Sequence, residues 1–199
     1  MQITIINDCL DQNAKLRQIS RVGSLFENCS VNCFGVGGEM EASGSLVDAI
    51  DSFEGRKGII IVNVAPRSKS AKKWKNGTPF GFFWHKETLI VSSVDGLVLS
   101  LVNKLNITDE FYILDIPDVL EAIEDKEMSP SEKQRITNSQ FRSFEFLPRV
   151  ARWLTKKVDI PCQKYDLKEV TDAPQAVWFV DNFGNIKTTL LKGDFDVDN

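Results

Sequence analysis

No run of apolar residues in this 199-residue chain approaches the roughly 20 residues that a membrane-spanning helix needs. The first seven residues, MQITIIN, are typical of a β-strand and lack the basic, apolar and small-residue zones of a signal peptide. The sequence therefore predicts a cytoplasmic protein that does not bind membranes.

Histidine and cysteine are scarce as well. His85 is the single histidine, and it lies in a turn where we expect it to be exposed. The four cysteines, Cys9, Cys29, Cys33 and Cys162, lack the paired spacing of a zinc site and are typical of small apolar side chains in a reducing compartment. We therefore expect no structural metal.

Positive charge is not in excess, since 24 Lys and Arg residues stand against 28 Asp and Glu residues and give a formal net charge of −4. This balance argues against a general nucleic-acid or membrane binder, but it allows a local basic patch. Residues 66–75, PRSKSAKKWK, hold the concentrated positive charge of the chain. This basic segment is either a solvated surface or a site for an anion such as phosphate.

Strand and helix patterns alternate over the first third of the chain. An apolar strand at residues 2–7 is followed by a helical period from Asn13, a short strand at 30–36, a second helical period at 44–53 and the apolar run 58–64, GIIIVNV. Such a run indicates a strand covered on both faces. The sequence predicts an α/β fold, with a layered domain and largely parallel sheet over 1–160, and a short antiparallel hairpin region over 161–199.

Three of these predicted strands end in polar or glycine-rich sequence, at Asp8, at residues 35–38 and at Asn63. In parallel sheets the carboxyl ends of the strands share one edge, where ligands bind, so we expect these residues at one crevice. Asp8 is either a polar strand end or a carboxylate that accepts two ribose hydroxyls. Asn63 either holds the next loop or faces a ligand, because a buried carboxamide needs partners.

Two further segments leave alternatives open. Arg142 lies between Phe141 and Phe144, where it either covers apolar surface or turns its charge inward towards acidic partners. Residues 176–191 form two β-rich runs around Asp181, Phe183 and Asn185. The tip of this hairpin is either a plain turn or a site for a nucleobase, with the ring stacked on the aromatic and its edge bound by the amide.

Taken in order, these motifs resemble the S-adenosylmethionine hydroxide adenosyltransferases and their chlorinase and fluorinase relatives. The most specific motif is DNFGNIKTT at 181–189, which is similar to the family signature Asp-x-Phe-Gly-Asn-x-x-Thr-Asn, with Thr189 at the final position. Weaker similarities lie in ITIINDC at 3–9, IIIVNVAP at 59–66, LIVSSVDGLVLSLV at 89–102 and SQFRSFEFLPRVARWL at 139–154.

The resemblance implies an α/β domain followed by a small β domain, assembled as a homotrimer with S-adenosylmethionine bound between subunits as substrate or ligand and no further cofactor. Water or halide attacks the ribose C5′ and methionine leaves. The residues that match the substrate site are Asp8 for the ribose hydroxyls, Asn13 near a further aspartate of the family, Asp181 for the methionine ammonium, and Phe183 and Asn185 for adenine.

The positions that match the water-holding Asp, Arg and His of hydrolytic relatives are Asn63, a basic residue sought among Arg67, Lys69, Lys72 and Lys73, and Arg142. A carboxamide does not accept a proton at neutral pH and an arginine does not release one. The sequence thus supports three hypotheses: an adenosyl-ligand-binding protein that hydrolyses its ligand, a catalytically silent sensing or assembly protein, and an anion- or nucleic-acid-binding module that uses residues 67–75.

Overall fold

The computed structural model of the chain describes residues 1–65, 78–124, 126, 128–139 and 142–194. The regular elements, in chain order, are β1 (Gln2–Asn7), α1 (Gln12–Leu25), β2 (Ser30–Gly35), α2 (Glu39–Phe53), β3 (Gly58–Asn63), β4 (Phe80–His85), β5 (Thr88–Ser93), α3 (Ser100–Lys104), β6 (Phe111–Leu114), α4 (Ile116–Ala122), α5 (Pro130–Asn138), α6 (Arg142–Thr155), β7 (Gln163–Tyr165), β8 (Val177–Val180) and β9 (Ile186–Thr188). The predicted basic segment, including Arg67, lies outside the described residues.

One sheet forms the centre of the molecule, and over the described residues its strand order is β2-β1-β3-β5-β4-β6-β7. The β2-β1, β1-β3 and β3-β5 pairs are parallel, whereas β4 and β7 run against their neighbours. The predicted α/β fold with a largely parallel sheet is thereby confirmed. The predicted short C-terminal antiparallel element is the separate two-stranded sheet β8-β9.

Helices cover both faces of the sheet, and β3 shows why its sequence is apolar throughout. Ile59 and Ile61 belong to one buried cluster, which includes residues of α4, α5 and α6. Ile60 and Val62 belong to a second cluster on the other face, with residues of α2 and α3. Successive side chains of a strand point to opposite faces, so the sheet needs apolar residues at every position of a central strand.

Local sequence signals set several helix starts. Asp11 caps α1 by accepting a hydrogen bond from the Ala14 backbone N–H at 2.8 Å. The sequence Ser129-Pro130-Ser131-Glu132 predicts a capping box at the start of α5. The box is present, because Ser129 and Glu132 bond each other's backbone N–H groups. These side chains satisfy N–H groups that have no acceptor within the helix.

Two helices begin earlier than their apolar periodicity indicates, which places one start at Gly44 and the other at Leu147. Helix α2 begins at Glu39 instead of 44, since Glu39 is buried and its carboxylate accepts the Leu97 N–H at 2.8 Å. Helix α6 begins at Arg142 and contains Pro148. Both extensions depend on tertiary contacts of polar residues, which periodicity does not register.

The last strand of the main sheet, β7, was not predicted. It pairs with β6, so the sheet extends beyond the boundary expected at residue 160. Leu167 and Val170, which follow β7, are buried in the same cluster as α2 and α3. The segment that is separate from the main sheet is therefore the β8-β9 hairpin.

This hairpin packs against α2. The Trp178 ring lies so close to Gly44 that a methyl group on that glycine would be 2.2 Å from the ring. Lys187 forms an ion pair with Asp48 and also lies 5.2 Å from the centre of the Trp178 ring. In the described residues no helix is long and apolar enough to cross a membrane.

Candidate functional site

The strand ends meet in a cluster of buried amides. Asn7, which is fully buried, and Asn63 stand in register at the ends of β1 and β3. The Asn63 side-chain N–H donates to Asn7 Oδ1 at 3.4 Å, and the Asn7 side chain bonds both the N–H and the carbonyl of Cys9 at 3.1 Å. Asn63 therefore takes part in holding the strand ends and the loop after β1.

Asp8 is half-buried beside this pair. Its Oδ2 accepts the Ala65 backbone N–H at 3.2 Å, and its own N–H donates to the Asn63 carbonyl at 3.4 Å. The Asp8 carboxylate thus links the end of β1 to the chain that follows β3. The predicted gathering of Asp8 and Asn63 at one edge of the sheet is observed.

Two buried carboxylates lie along the same edge, after β2 and β5. Glu39 is bonded to the Leu97 N–H, and Asp95 accepts the Gly96 N–H at 2.8 Å. The Ser93 hydroxyl joins this part of the edge to β3 by donating to the Val64 carbonyl at 2.8 Å. Glu39 was missed from the sequence, where the one available signal was an acidic residue directly after a glycine-rich strand end.

The other candidate residues of this edge come from helix starts. Asn13 is exposed in the first turn of α1. Arg142 is half-buried in the first turn of α6, a helix whose Phe146 ring lies 5.9 Å from Phe80. Because Phe80 pairs with Ser93 at the end of β5, the start of α6 lies at the same end of the sheet as Asp8 and Asn63. Arg67, the remaining candidate, lies outside the described residues.

The hairpin tip is a tightly bonded turn. Asp181 Oδ1 accepts the backbone N–H groups of Phe183 at 2.9 Å and Asn185 at 2.8 Å, while Oδ2 accepts the Asn185 side-chain amide at 2.8 Å. These hydrogen bonds, the Asn185 side chain first, lower the pKa of the Asp181 carboxyl. Gly184 has a φ of 86°, a conformation that glycine adopts readily.

This turn displays an aromatic ring to its surroundings. The exposed fraction of Phe183 is 84%, and Val180 and Ile186 beside it are more than half exposed. Thr189, at the last position of the motif, is buried and clamps the base of the hairpin, where its hydroxyl donates to the Pro174 carbonyl at 2.6 Å and accepts the Ala176 N–H at 3.0 Å. The tip is therefore fixed in shape while its apolar side chains remain uncovered.

An apolar groove that the sequence analysis missed runs between α2, β2 and β8. It has a volume of about 750 Å³ and is lined by Phe34, Ala49, Phe53, Trp178 and Phe179, among others. Its size is within the range of small-molecule sites, which are mostly apolar with few polar groups. The lining residues come from three distant segments, so no local sequence pattern predicts the groove.

The fold and the strand-end cluster define an α/β protein with a polar edge at the carboxyl ends of its parallel strands. No family model matches the chain, and no curated protein matches it. Among solved structures, the chain is similar to an uncharacterized conserved protein from Thermotoga maritima, with a TM-score of 0.62 and 14% identity over 94% of this chain and 70% of that one.

A second similar structure is a conserved hypothetical protein from Thermus thermophilus. Its TM-score is 0.56 and its identity 12%, over 96% of this chain and 73% of that one. At these identities the likeness concerns the fold. It spans nearly the whole chain.

Proposed function

We propose that this protein binds S-adenosyl-L-methionine or a related adenosine ligand between neighbouring copies in a cytoplasmic homotrimer. The observation that carries the proposal is the Phe183 ring, which is 84% exposed on a turn fixed by Asp181 and Asn185. A fixed, uncovered aromatic ring beside a carboxylate and an amide suits a flat ring with polar edges. Within one chain the ring remains uncovered, so a neighbouring copy would complete the pocket.

The neighbouring copy would contribute its strand-end cluster. Asp8, whose carboxylate is half-exposed, would accept the ribose hydroxyls, and Asn13 and Arg142 lie at the same edge of the sheet. Asp181 would hold the methionine ammonium, because an aspartate carboxylate is negatively charged at neutral pH. The reaction of an active member would be attack of water on the ribose C5′, with methionine as the leaving group.

A second candidate function is ligand sensing or assembly without hydrolysis. It is favoured by the amide pair at the strand ends, where Asn63 donates its hydrogen bond to Asn7. Neither amide accepts a proton at neutral pH, and Arg142 does not release one. In this alternative the protein binds the adenosyl ligand and does not turn it over. A third possibility, anion binding by the basic segment that contains Arg67, concerns residues outside the described ranges.

The first experiment is titration of the protein with S-adenosylmethionine by calorimetry, together with chromatography of released adenosine and methionine. Phe183→Ala should weaken binding about tenfold or more, because the base loses its stacking partner. Trp84→Ala is the matched control, since Trp84 is exposed on β4, away from the hairpin. Unchanged affinity in Phe183→Ala, or no binding by the parent protein, would overturn the proposal.

The same samples separate the two candidate functions. Release of adenosine and methionine that is lost in Asp8→Ala supports hydrolysis, whereas binding without product supports the silent alternative. Light scattering on the parent protein should give a trimer. A monomer that binds the ligand with full affinity would contradict the proposed pocket between copies.

A further inference from the structure

A single buried carboxylate on α6 is shared by three arginines from three helices. Glu145 Oε1 lies 2.8 Å from Arg21 Nη2 of α1, and Oε2 lies 2.8 Å from Arg149 Nη1 one helical turn further along α6. Arg135 of α5 contacts both oxygens at 3.3 Å. Arg149 Nη1 also donates to the Glu145 carbonyl at 2.8 Å, in the turn disturbed by Pro148.

This cluster carries more positive than negative charge. Burial by itself raises the pKa of Glu145, but the hydrogen bond from Arg135 and the charges of Arg21 and Arg149 outweigh it and lower the pKa to about 2. Burial, and then the like charge of Arg21, lower the pKa of Arg149. With one carboxylate for three guanidinium groups, an additional anion beside Arg149 would relieve the repulsion.

A cleft opens beside Arg149. It has a volume of about 1430 Å³ and lies between the end of α1, the start of β2 and the outer side of α6. Arg149 forms part of its buried wall, while the Ser24 side chain stands exposed at its mouth. Among the described lining residues, four side chains are cationic and two are acidic: Lys126, Arg149, Arg152 and Lys156 against Glu27 and Glu132.

The two carboxylates offset part of this positive charge, and the charge of Glu132 interacts with Arg149 and Arg135. Glu132 is held by the capping box of α5, where the Ser129 hydroxyl and backbone N–H bond its side chain and lower its pKa. Glu27 is exposed in the turn after α1. Arginine presents a planar fork of N–H donors, which matches a phosphate or carboxylate group better than a point charge does.

We propose that this cleft binds the phosphate group of a small molecule, with Arg149 as the buried contact and Lys156 at the rim. A phosphate dianion would balance the positive charge that remains at the arginines, in a space large enough for the organic part of the molecule. The cleft borders the first residues of β2, at the sheet edge opposite to Asn7 and Asn63, so it is separate from the proposed adenosyl site.

The test is calorimetric titration with inorganic phosphate and with pyrophosphate at fixed ionic strength, with chloride as the reference anion. Ser24→Glu places a carboxylate at the cleft mouth and should weaken phosphate binding about tenfold. Ser52→Glu is the matched control: Ser52 is also exposed on a helix and, like Ser24, donates its hydroxyl to a carbonyl of the preceding turn. It should change binding less than twofold.

Arg149→Gln gives the direct test of the buried contact, provided that its circular dichroism spectrum matches the parent. It should abolish saturable phosphate binding, and Lys156→Gln, which leaves the arginine cluster intact, should weaken it. Equal heats for phosphate and chloride, or equal losses in Ser24→Glu and Ser52→Glu, would overturn the proposal. Binding to a short RNA or to phosphatidic acid vesicles without binding of free phosphate would overturn it as well.

Discussion

The strand ends and the β8-β9 hairpin differ in which side chains they bury. At the strand ends, polar groups of Asn7, Asn63 and Asp8 are buried or half-buried and bond one another or nearby backbone. In the hairpin, the apolar side chains of Val180 and Phe183 are exposed. The strand ends are therefore held in shape by hydrogen bonds within one chain, whereas the hairpin leaves apolar surface that an additional surface could cover.

Among substitutions that test this difference, we expect the largest loss of stability from one at the strand ends. Asn7→Ala removes two hydrogen bonds to Cys9 and the acceptor for the Asn63 amide, in a fully buried place. We expect the free energy of unfolding to fall by roughly 3 kcal/mol. Urea denaturation measures it, with Asn13→Ala, an exposed asparagine, as the control within about 0.5 kcal/mol of the parent.

A smaller effect should follow from separating the hairpin from α2. Gly44→Ala places a methyl group against the Trp178 ring and should cost roughly 2 kcal/mol of local stability, with faster hydrogen exchange over residues 177–188. Gly23→Ala is the control, because a Cβ added to that helical glycine would meet no other atom within 4 Å, and alanine is the better helix former. Equal exchange in both variants would show that Trp178 does not hold the hairpin.

The smallest effect on global stability is expected at the tip. Asp181→Ala removes the acceptor of three hydrogen bonds in an exposed turn, so the free energy of unfolding should change by less than about 1 kcal/mol. The amide resonances of Phe183, Gly184 and Asn185 should nevertheless shift, while those of Asn7 and Asn63 stay in place. Shifts at the strand ends would contradict the independence of the two regions.

Acid distinguishes the two regions by their chemistry. The pKa of Asp181 is lowered in the folded chain, so its contribution is present above the usual value of 3.8 and is lost as pH falls through the folded pKa. The Asn7 and Asn63 amides do not titrate. In NMR spectra recorded from about pH 6 towards about pH 2, the tip amides should shift mainly below pH 3.8, and a transition centred above pH 3.8 would contradict the lowered pKa.

Parts of the fold could be predicted because their signals are local. The apolar runs of β1 and β3 follow from burial on both faces of the sheet, and the capping box of α5 is a four-residue pattern. The early starts of α2 and α6 could not be predicted this way. They depend on Glu39 bonding the Leu97 N–H and on Glu145 bonding Arg21, which is 124 residues away in the sequence.

The candidate site likewise has a part that the sequence predicts and a part that it does not. The parallel pairing of β1 and β3 places Asp8 and Asn63 at one edge of the sheet, and the pattern of strands in the sequence predicts this placement. The bonding of Asn63 to Asn7, the groove beside Trp178 and the cleft beside Arg149 each require side chains from separate segments. Sequence spacing does not indicate such contacts, because they form only when the packed fold brings distant segments together.

Sequence patterns alone predict an α/β sheet covered on both faces and a later hairpin whose turn is built on aspartate, asparagine and glycine. Packing of the whole fold sets which polar groups form hydrogen bonds or ion pairs with one another and which side chains remain exposed. The physical reason is that periodicity and turn chemistry act over a few residues, whereas burial and ion pairing depend on partners brought together by the whole fold.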